Sequence, residues 1–231
     1  MYGLNAVGLV FFGCINILAH RLCACPEKKR RKGVAALCAL LLSLNLIRYA
    51  FVYPFIDGAV LLPVEFSTVA YFLVPLILLA SIKGLRSWAA YSGLMAGFFY
   101  YMAAIFAGGP IYCSYPPDDI YISLFCHGAL YLCGFVTIGT ERFSAKDAPK
   151  LAAGVALVAA HAALLRPLVA GDDRMLIYML LDAAVIRRFF PQAAWAFALP
   201  AYYISVAALV VMTIRCFFRK NRRLYCEFLI S

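Results

Sequence analysis

The stretch Asp119–Gly139 (DIYISLFCHGALYLCGFVTIG) decides the class of this protein. After its first residue it contains no Asp, Glu, Lys or Arg. At the helical rise of 1.5 Å per residue it measures about 31 Å, which matches the ~30 Å hydrocarbon core of a bilayer. The stretch therefore predicts a transmembrane helix.

The composition of the whole chain agrees with this stretch. Of the 231 residues, 65% are apolar and 14% are charged, and the mean hydropathy is +0.87. Soluble domains carry roughly 45–50% apolar and about 25% charged residues, and disordered chains are less apolar still. Both classes are excluded. We expect an all-α, polytopic helix bundle of the cell membrane, with residues 1–231 forming a single integral membrane domain.

Seven stretches are long and apolar enough to cross a bilayer. The first has no basic leader and no small-residue cleavage site, so it predicts a retained helix rather than a signal peptide. The seven predicted spans are Leu4–Ala19, Val34–Pro54, Ala59–Ala80, Trp88–Ala107, Asp119–Gly139, Leu151–Ala170 and Ala193–Ile214.

The basic residues predict the orientation of these spans. If there are seven, sixteen of the 21 Lys and Arg residues fall on one side, including the run Lys28–Lys32 and the tail at about 215–231. The other side carries mainly aspartates, such as Asp57 and Asp172. Because basic loops stay in the cytoplasm, we expect the N-terminus outside and the C-terminus inside.

Two connections between the spans are unusual. Gly108–Asp118 (GGPIYCSYPPD) is rich in Pro and Gly and predicts an outer loop folded over the mouth of the bundle. Gly171–Gln192 is too polar and too short to cross twice. Its apolar run Met175–Leu181 predicts a short interfacial or re-entrant helix.

The cysteines and the basic run leave alternatives open. Cys23 and Cys25 lie next to the membrane on the cytoplasmic side, so they are either inert thiols or sites of S-acylation. No second pair with ligand spacing accompanies them, which disfavours a zinc site. Lys28–Lys32 is either a topology signal or an attractor of anionic lipid headgroups, and we expect no binding of nucleic acid.

Ionisable residues inside the spans are the best indicators of function, because each costs about 2.5–3.5 kcal/mol to insert. Arg48, Glu65, His127 and His161 lie on four different spans. Counted from the outer ends at 1.5 Å per residue, all four are about 9–13 Å deep. We therefore predict a polar cavity in the outer half of the membrane, lined by Arg48, Glu65 and His127.

Each of these residues also has a plainer interpretation. Arg48 and Glu65 are either part of a binding site or a structural ion pair between two helices. His127 and His161 are either functional or satisfied core histidines, and Gly128 favours function at His127 because it permits close approach. Zinc bound by Glu65, His127 and His161 is a further alternative, although no recognised motif supports it and we expect no metal or cofactor.

Three stretches resemble a known family, namely Leu62–Ala80 (LPVEFSTVAYFLVPLILLA), Phe98–Pro110 and Ile122–Arg142 (ISLFCHGALYLCGFVTIGTER). They are similar to the YwaF-type bacterial integral membrane proteins, which resemble the eukaryotic transmembrane protein 164, an acyltransferase acting on phospholipids. That pattern opens one helix with Leu-Pro-x-His-x-Cys, has Ser-His-Gly on a later helix, and has a Tyr-Met segment that corresponds here to Tyr178–Met179.

The resemblance implies lipid chemistry with altered residues. Glu65 stands where the family has His, Ser67 where it has Cys, and only His127 carries over unchanged. The implied function is acyl transfer or hydrolysis of a lipid ester, with His127 as general base, Glu65 orienting it and Arg48 holding a phosphate or carboxylate. Ser67 would be the replacement nucleophile, and His161 an additional binding residue.

A non-catalytic alternative stands beside this one. In it the protein binds or transports a lipid or small solute, and Arg48–Glu65 is a structural or coupling ion pair. Membrane lipids are the expected partners in either case. The sequence does not determine the oligomeric state or the substrate.

Overall fold

The computed structural model describes residues 3–52, 62–112, 117–169, 176–187 and 195–230. These residues form nine α-helices and no β-strand, so the all-α prediction is confirmed for the described part of the chain. The helices are α1 Gly3–Ala24, α2 Glu27–Ile47, α3 Phe66–Leu79, α4 Arg86–Tyr112, α5 Pro117–Thr140, α6 Ala148–Leu165, α7 Leu176–Leu181, α8 Ala184–Arg187 and α9 Trp195–Ile230.

Six of these helices (α1, α2, α4, α5, α6 and α9) are long and apolar enough to cross a membrane. The third predicted span, Ala59–Ala80, is different, because within its described part only the 14-residue helix α3 is formed. The segment before α3 is not helical: Val64 N–H donates to the Leu62 carbonyl at 2.8 Å, which makes a tight turn around Pro63. A residue before proline is disfavoured in helical geometry, so the helix starts late.

Several helices extend beyond the apolar stretches that predicted them. Helix α2 begins at Glu27 and includes the basic run Lys28–Lys32. Helix α4 continues to Tyr112, so the prediction of a loop over all of Gly108–Asp118 is wrong, although residues 113–116, including Cys113, lie outside the described residues. Hydropathy marks the membrane core, whereas Glu, Lys and Arg are also good helix formers beyond it.

Helix α5 is the centre of the bundle and packs against α1, α2, α3, α4 and α9. Its closest neighbour is α4, where Gly93 and Gly97 face the α5 backbone. A Cβ on Gly97 would lie 2.6 Å from the His127 carbonyl oxygen, and one on Gly134 would lie 2.6 Å from Leu94 N. Small residues let two membrane helices approach at backbone distance, and that close approach aligns α4 with α5 beside His127.

The basic residues of α1, α4 and α9, and of the connection after α5, meet at one end of the bundle, which we call the basic end. Cys23 of α1 and Phe228 of α9 lie against Gly139 of α5. Arg86, the first residue of α4, pairs with Glu141 just after α5. Helix α6 begins at the same end of the bundle, where its first residue, Ala148, lines a cavity together with residues of α9.

The region Gly171–Gln192 contains α7, which covers the apolar run predicted as one short helix, and a further short helix, α8, while residues 170–175 and 188–194 lie outside the described part. Tyr178 Oη donates to the Ala162 carbonyl of α6 at 3.0 Å. Arg166 makes a two-pronged ion pair with Asp182, with N···O distances of 2.7 and 2.6 Å. These bonds attach α7 to α6 at the end of the bundle opposite the basic end.

Candidate functional site

His127 lies in the middle of α5 and is surrounded by side chains of two other helices. Its Nδ1 is 2.8 Å from the Ser123 carbonyl, one turn earlier in α5. The Tyr71 hydroxyl of α3 is 2.7 Å from Nδ1 and 3.1 Å from Nε2. The Tyr100 ring of α4 stacks on the imidazole, with centroids 3.6 Å apart and planes 10° apart.

These contacts assign roles to the two ring nitrogens. A carbonyl oxygen only accepts hydrogen bonds, so the Ser123 contact requires Nδ1 to carry the hydrogen. In that tautomer the Tyr71 hydroxyl, although nearer to Nδ1, can donate its hydrogen only to Nε2. The backbone of α5 therefore orients the imidazole, a role that the sequence assigned to Glu65.

Arg48 reaches the same place from the end of α2. It begins a π-helical turn over Arg48–Val52, a wider turn that is common at functional sites. Its side chain is 8% exposed, hydrogen-bonds to Cys126 and acts electrostatically on Tyr71 and His127. The structure thus brings together two of the predicted residues, Arg48 and His127.

Asn45, one turn before Arg48, completes this group. Its Nδ2 donates to the Leu41 carbonyl at 2.8 Å and to Cys126 Sγ at 3.6 Å. Its Oδ1 is fully buried and has no hydrogen-bond partner among the described residues. We call Asn45, Arg48, Tyr71, Tyr100 and His127 the His127 cluster.

Glu65 does not belong to this cluster. It precedes α3 with extended backbone angles (φ −65°, ψ 147°), and its Oε1 accepts from Ile177 N of α7 at 3.3 Å. A second backbone hydrogen bond comes from Leu176. Among the described residues no ion pair joins Glu65 to Arg48, and the Glu65 carboxylate contacts α7 instead. The prediction treated Glu65 as part of the third helical span, but α3 starts one residue after it.

Ser67 occupies the first turn of α3, half-buried and one turn before Tyr71. Positions four apart share a helix face, so Ser67 and Tyr71 point to the same side of α3. Within the described residues, however, no hydrogen bond joins Ser67 to His127.

His161 also lies apart from His127. Its Nε2 is 3.2 Å from the Pro63 carbonyl, and its side chain is exposed on α6. Glu65, His127 and His161 therefore do not converge as zinc ligands. No group of three or more His, Cys, Asp or Glu in the described ranges is arranged to hold a metal ion.

Gly128 permits a close approach, as expected, but the space is filled by this chain. A Cβ there would lie 2.5 Å from Ile15 Cδ1 and 2.9 Å from Tyr101 Oη. The side chain of Cys23, a candidate for S-acylation, is 3% exposed, whereas Cys25 is half-buried. Burial of Cys23 favours the interpretation as an inert thiol at that position.

Sequence reasoning missed Tyr71, Tyr100 and Ser123 as neighbours of His127. Their signal is weak, because Tyr and Ser are common in apolar helices and pair only once the helices are packed. The close α4–α5 packing had a better signal in the spacing Gly93-x3-Gly97, which is a known helix-packing pattern.

Comparison of the chain with protein-family models, with curated proteins and with solved structures finds no match. The resemblance to the YwaF-type family therefore stays a prediction from a few short stretches. The class that the fold and cluster define is an all-helical protein with several potential membrane spans and a buried polar site around His127.

Proposed function

We propose that the chain crosses the cell membrane seven times, with its N-terminus outside and its basic end in the cytoplasm. Helix α2 leaves the basic end and α4 begins there, so the chain between them has to return across the bundle. The non-helical segment at residues 62–65 followed by the short helix α3 would make that passage. The gathering of basic residues at one end supports the orientation.

Reporter fusions test this topology. A fluorescent protein that folds only in the cytoplasm is expected to fluoresce when fused after residue 231, and to stay dark when fused before residue 1. The opposite pattern would contradict the orientation. Fluorescence or darkness at both ends would contradict an odd number of crossings.

For the His127 cluster, we propose non-catalytic binding of a small anionic group, the phosphate or carboxylate of a lipid or solute. The observation that carries this proposal is that the Arg48 guanidinium, a positive charge, is buried beside the Cys126, Tyr71 and His127 side chains. A guanidinium donates two parallel hydrogen bonds to a phosphate or a carboxylate. His127 and Arg48 are only 5% and 8% exposed, so the occupant is a small group.

Native mass spectrometry of detergent-purified protein tests this proposal, with inorganic phosphate and acetate, which are small anions, as separate probes. The wild-type protein is expected to retain one of them, and Arg48→Gln is expected to lower the bound fraction about tenfold, as fits loss of a hydrogen bond to a charged group. Arg31→Gln is the control, because Arg31 is exposed and paired with Glu27. Equal retention by wild type and Arg48→Gln would contradict the proposal.

A catalytic function is the second candidate, and one observation favours it. The Ser123 carbonyl leaves Nε2 of His127 as a proton acceptor beside the Tyr71 hydroxyl, an arrangement that suits a general base. Lipid-ester acyl transfer would then use His127 and Tyr71, without Glu65.

An acyl-transfer assay distinguishes the two candidates. With a labelled phospholipid as donor and a lysophospholipid as acceptor, catalysis predicts that His127→Gln abolishes turnover. Tyr71→Phe is expected to lower it by about 10²-fold or more. Absence of turnover in a folded wild-type protein, or equal rates in the variants, would reject the catalytic candidate.

A further inference from the structure

Two adjoining hollows lie at the basic end, where the connection between α5 and α6 meets α9. Their volumes are about 420 and 520 Å³, and both are lined by Ala145, Phe218 and Arg222. Together they form one open groove, which we call the arginine groove. It is well separated along the bundle from the His127 cluster, since it lies beyond the end of α5.

Four arginines line the arginine groove. Arg142 comes from the connection after α5, and Arg215, Arg219 and Arg222 lie four and three positions apart on α9, which places them on one helix face. All four are exposed, and none forms an ion pair with another described residue. Arg86 and Arg166, by contrast, are each paired with a carboxylate.

The wall of the arginine groove is held in place by Asn221. This residue is 1% exposed, and its Nδ2 donates to the carbonyls of Ile138 and Glu141, both at 2.7 Å. Its Oδ1 accepts from Phe143 N at 3.0 Å, and the Phe143 ring stacks on Phe217. The connection that carries Arg142 is thereby attached to α9 before any ligand arrives.

The arginine groove also lies at the right depth for a lipid headgroup. From Trp195 to Ile214, α9 is apolar, and at 1.5 Å per residue this part is about 30 Å long, equal to the hydrocarbon core. Arg215 therefore begins where the core ends. Ile214, Ala148 and Phe218 line the same groove, so it offers apolar surface beside the guanidinium groups.

We propose that the arginine groove binds the phosphate-bearing headgroup of an anionic phospholipid. The guanidinium groups match the geometry of phosphate oxygens, and the apolar lining accepts the start of the acyl chains. A free phosphate ion would use the arginines but not the apolar lining. The proposal is independent of what the His127 cluster binds.

Native mass spectrometry of the full chain tests the proposal, with phosphatidylglycerol, phosphatidylcholine and inorganic phosphate as probes. The variant carries Arg215→Gln, Arg219→Gln and Arg222→Gln. The control carries Lys28→Gln, Lys29→Gln and Lys32→Gln, which removes the same charge at the same end of the bundle. We expect phosphatidylglycerol to be retained by the wild type and the control, and to fall about tenfold in the arginine variant.

Other outcomes would overturn the proposal. Equal loss in both triple variants would mean that total charge, not the arginine groove, holds the lipid. Equal retention of phosphatidylcholine would show that the groove does not select lipids by net charge. Binding of inorganic phosphate in place of the lipid would show that the ligand is a free anion. If the triple variant does not fold, Arg219→Lys and Arg219→Gln replace it: Arg219→Lys is expected to bind more phosphatidylglycerol than Arg219→Gln, and equal binding would overturn the proposal.

Discussion

His127 is held by a backbone carbonyl, a tyrosine hydroxyl and a stacked tyrosine ring, which belong to three helices. Tyr71 comes from α3, Tyr100 from α4 and Ser123 from α5. A neutral imidazole has one donor and one acceptor, and both are used here. The position therefore depends on how three helices pack, and a change in any of them would move the ring.

Asn45→Leu is the informative substitution at this scale. Leu is close to Asn in size and removes the buried Oδ1 that has no partner among the described residues. We expect the free energy of unfolding of the ligand-free protein to rise by about 1 kcal/mol, because an unsatisfied acceptor is lost. Thermal unfolding in detergent measures this change.

Retention of inorganic phosphate or acetate by the His127 cluster is expected to stay the same in this variant, because an amide oxygen accepts hydrogen bonds and cannot donate one to an anion. A decrease in the free energy of unfolding would contradict the prediction that the buried Oδ1 destabilises the protein. The loss of the weak contact to Cys126 Sγ is not expected to offset the gain.

At the scale of elements, the contact between α4 and α5 is the closest in the bundle. Gly93, Gly97 and Gly134 remove the side chains that would separate the two backbones. Helix α3 differs from the other predicted spans, because it is shorter than the apolar stretch Ala59–Ala80 that predicted it. Because of the turn at Pro63, α3 starts only after Glu65. The Glu65 carboxylate then contacts α7 instead of Arg48.

Gly97→Ala tests the α4–α5 contact. The new Cβ would lie 2.5 Å from Tyr131 Cβ and 2.6 Å from the His127 carbonyl oxygen, so backbone has to move. We expect a loss of about 1–3 kcal/mol in the free energy of unfolding, the usual cost of overpacking. Thermal or denaturant unfolding in detergent measures it.

Gly13→Ala is the matched control, because a Cβ there meets nothing within 4 Å. It is expected to stabilise α1 slightly, by about 0.5–1 kcal/mol, since alanine has the higher helix propensity. A similar effect of both substitutions would argue against a close α4–α5 contact.

At the scale of the whole molecule, α5 is enclosed and the outer helices are apolar on their outer faces. Leu164 of α6 is 78% exposed and Phe197 of α9 is 83% exposed. In water such surfaces would aggregate, whereas in a bilayer they face lipid tails. The polar contacts concentrate instead at the His127 cluster, around α7, and at the basic end.

Asn221→Ala tests how α9 is attached to the rest of the bundle. The substitution removes three hydrogen bonds that join α9 to the end of α5 and to the connection after it. We expect a loss of roughly 2 kcal/mol in the free energy of unfolding, together with faster hydrogen exchange in the last turns of α9.

Arg223→Ala is the neighbouring control, as Arg223 is exposed and does not line the arginine groove. It is expected to leave both stability and exchange unchanged. Exchange that is equally fast in the two variants would mean that Asn221 does not hold α9.

Much of this organisation follows from the sequence alone. The apolar stretches predict the long helices because about 20 residues without charge are stable only as helices in a membrane. The ionisable residues inside them, such as Arg48 and His127, predict a buried site because such residues are costly unless they are paired. The basic loops predict an orientation through the cost of moving charge across a bilayer.

Only the tertiary structure decides which polar residues meet. Depth along a span is a one-dimensional quantity, and it placed Arg48, Glu65, His127 and His161 in one layer. Rotation about each helix axis, and the non-helical turn at Pro63, separate Glu65 and His161 from His127 and bring Tyr71 and Tyr100 to it. Those rotations are set by side-chain packing between helices far apart in sequence, which no local pattern encodes.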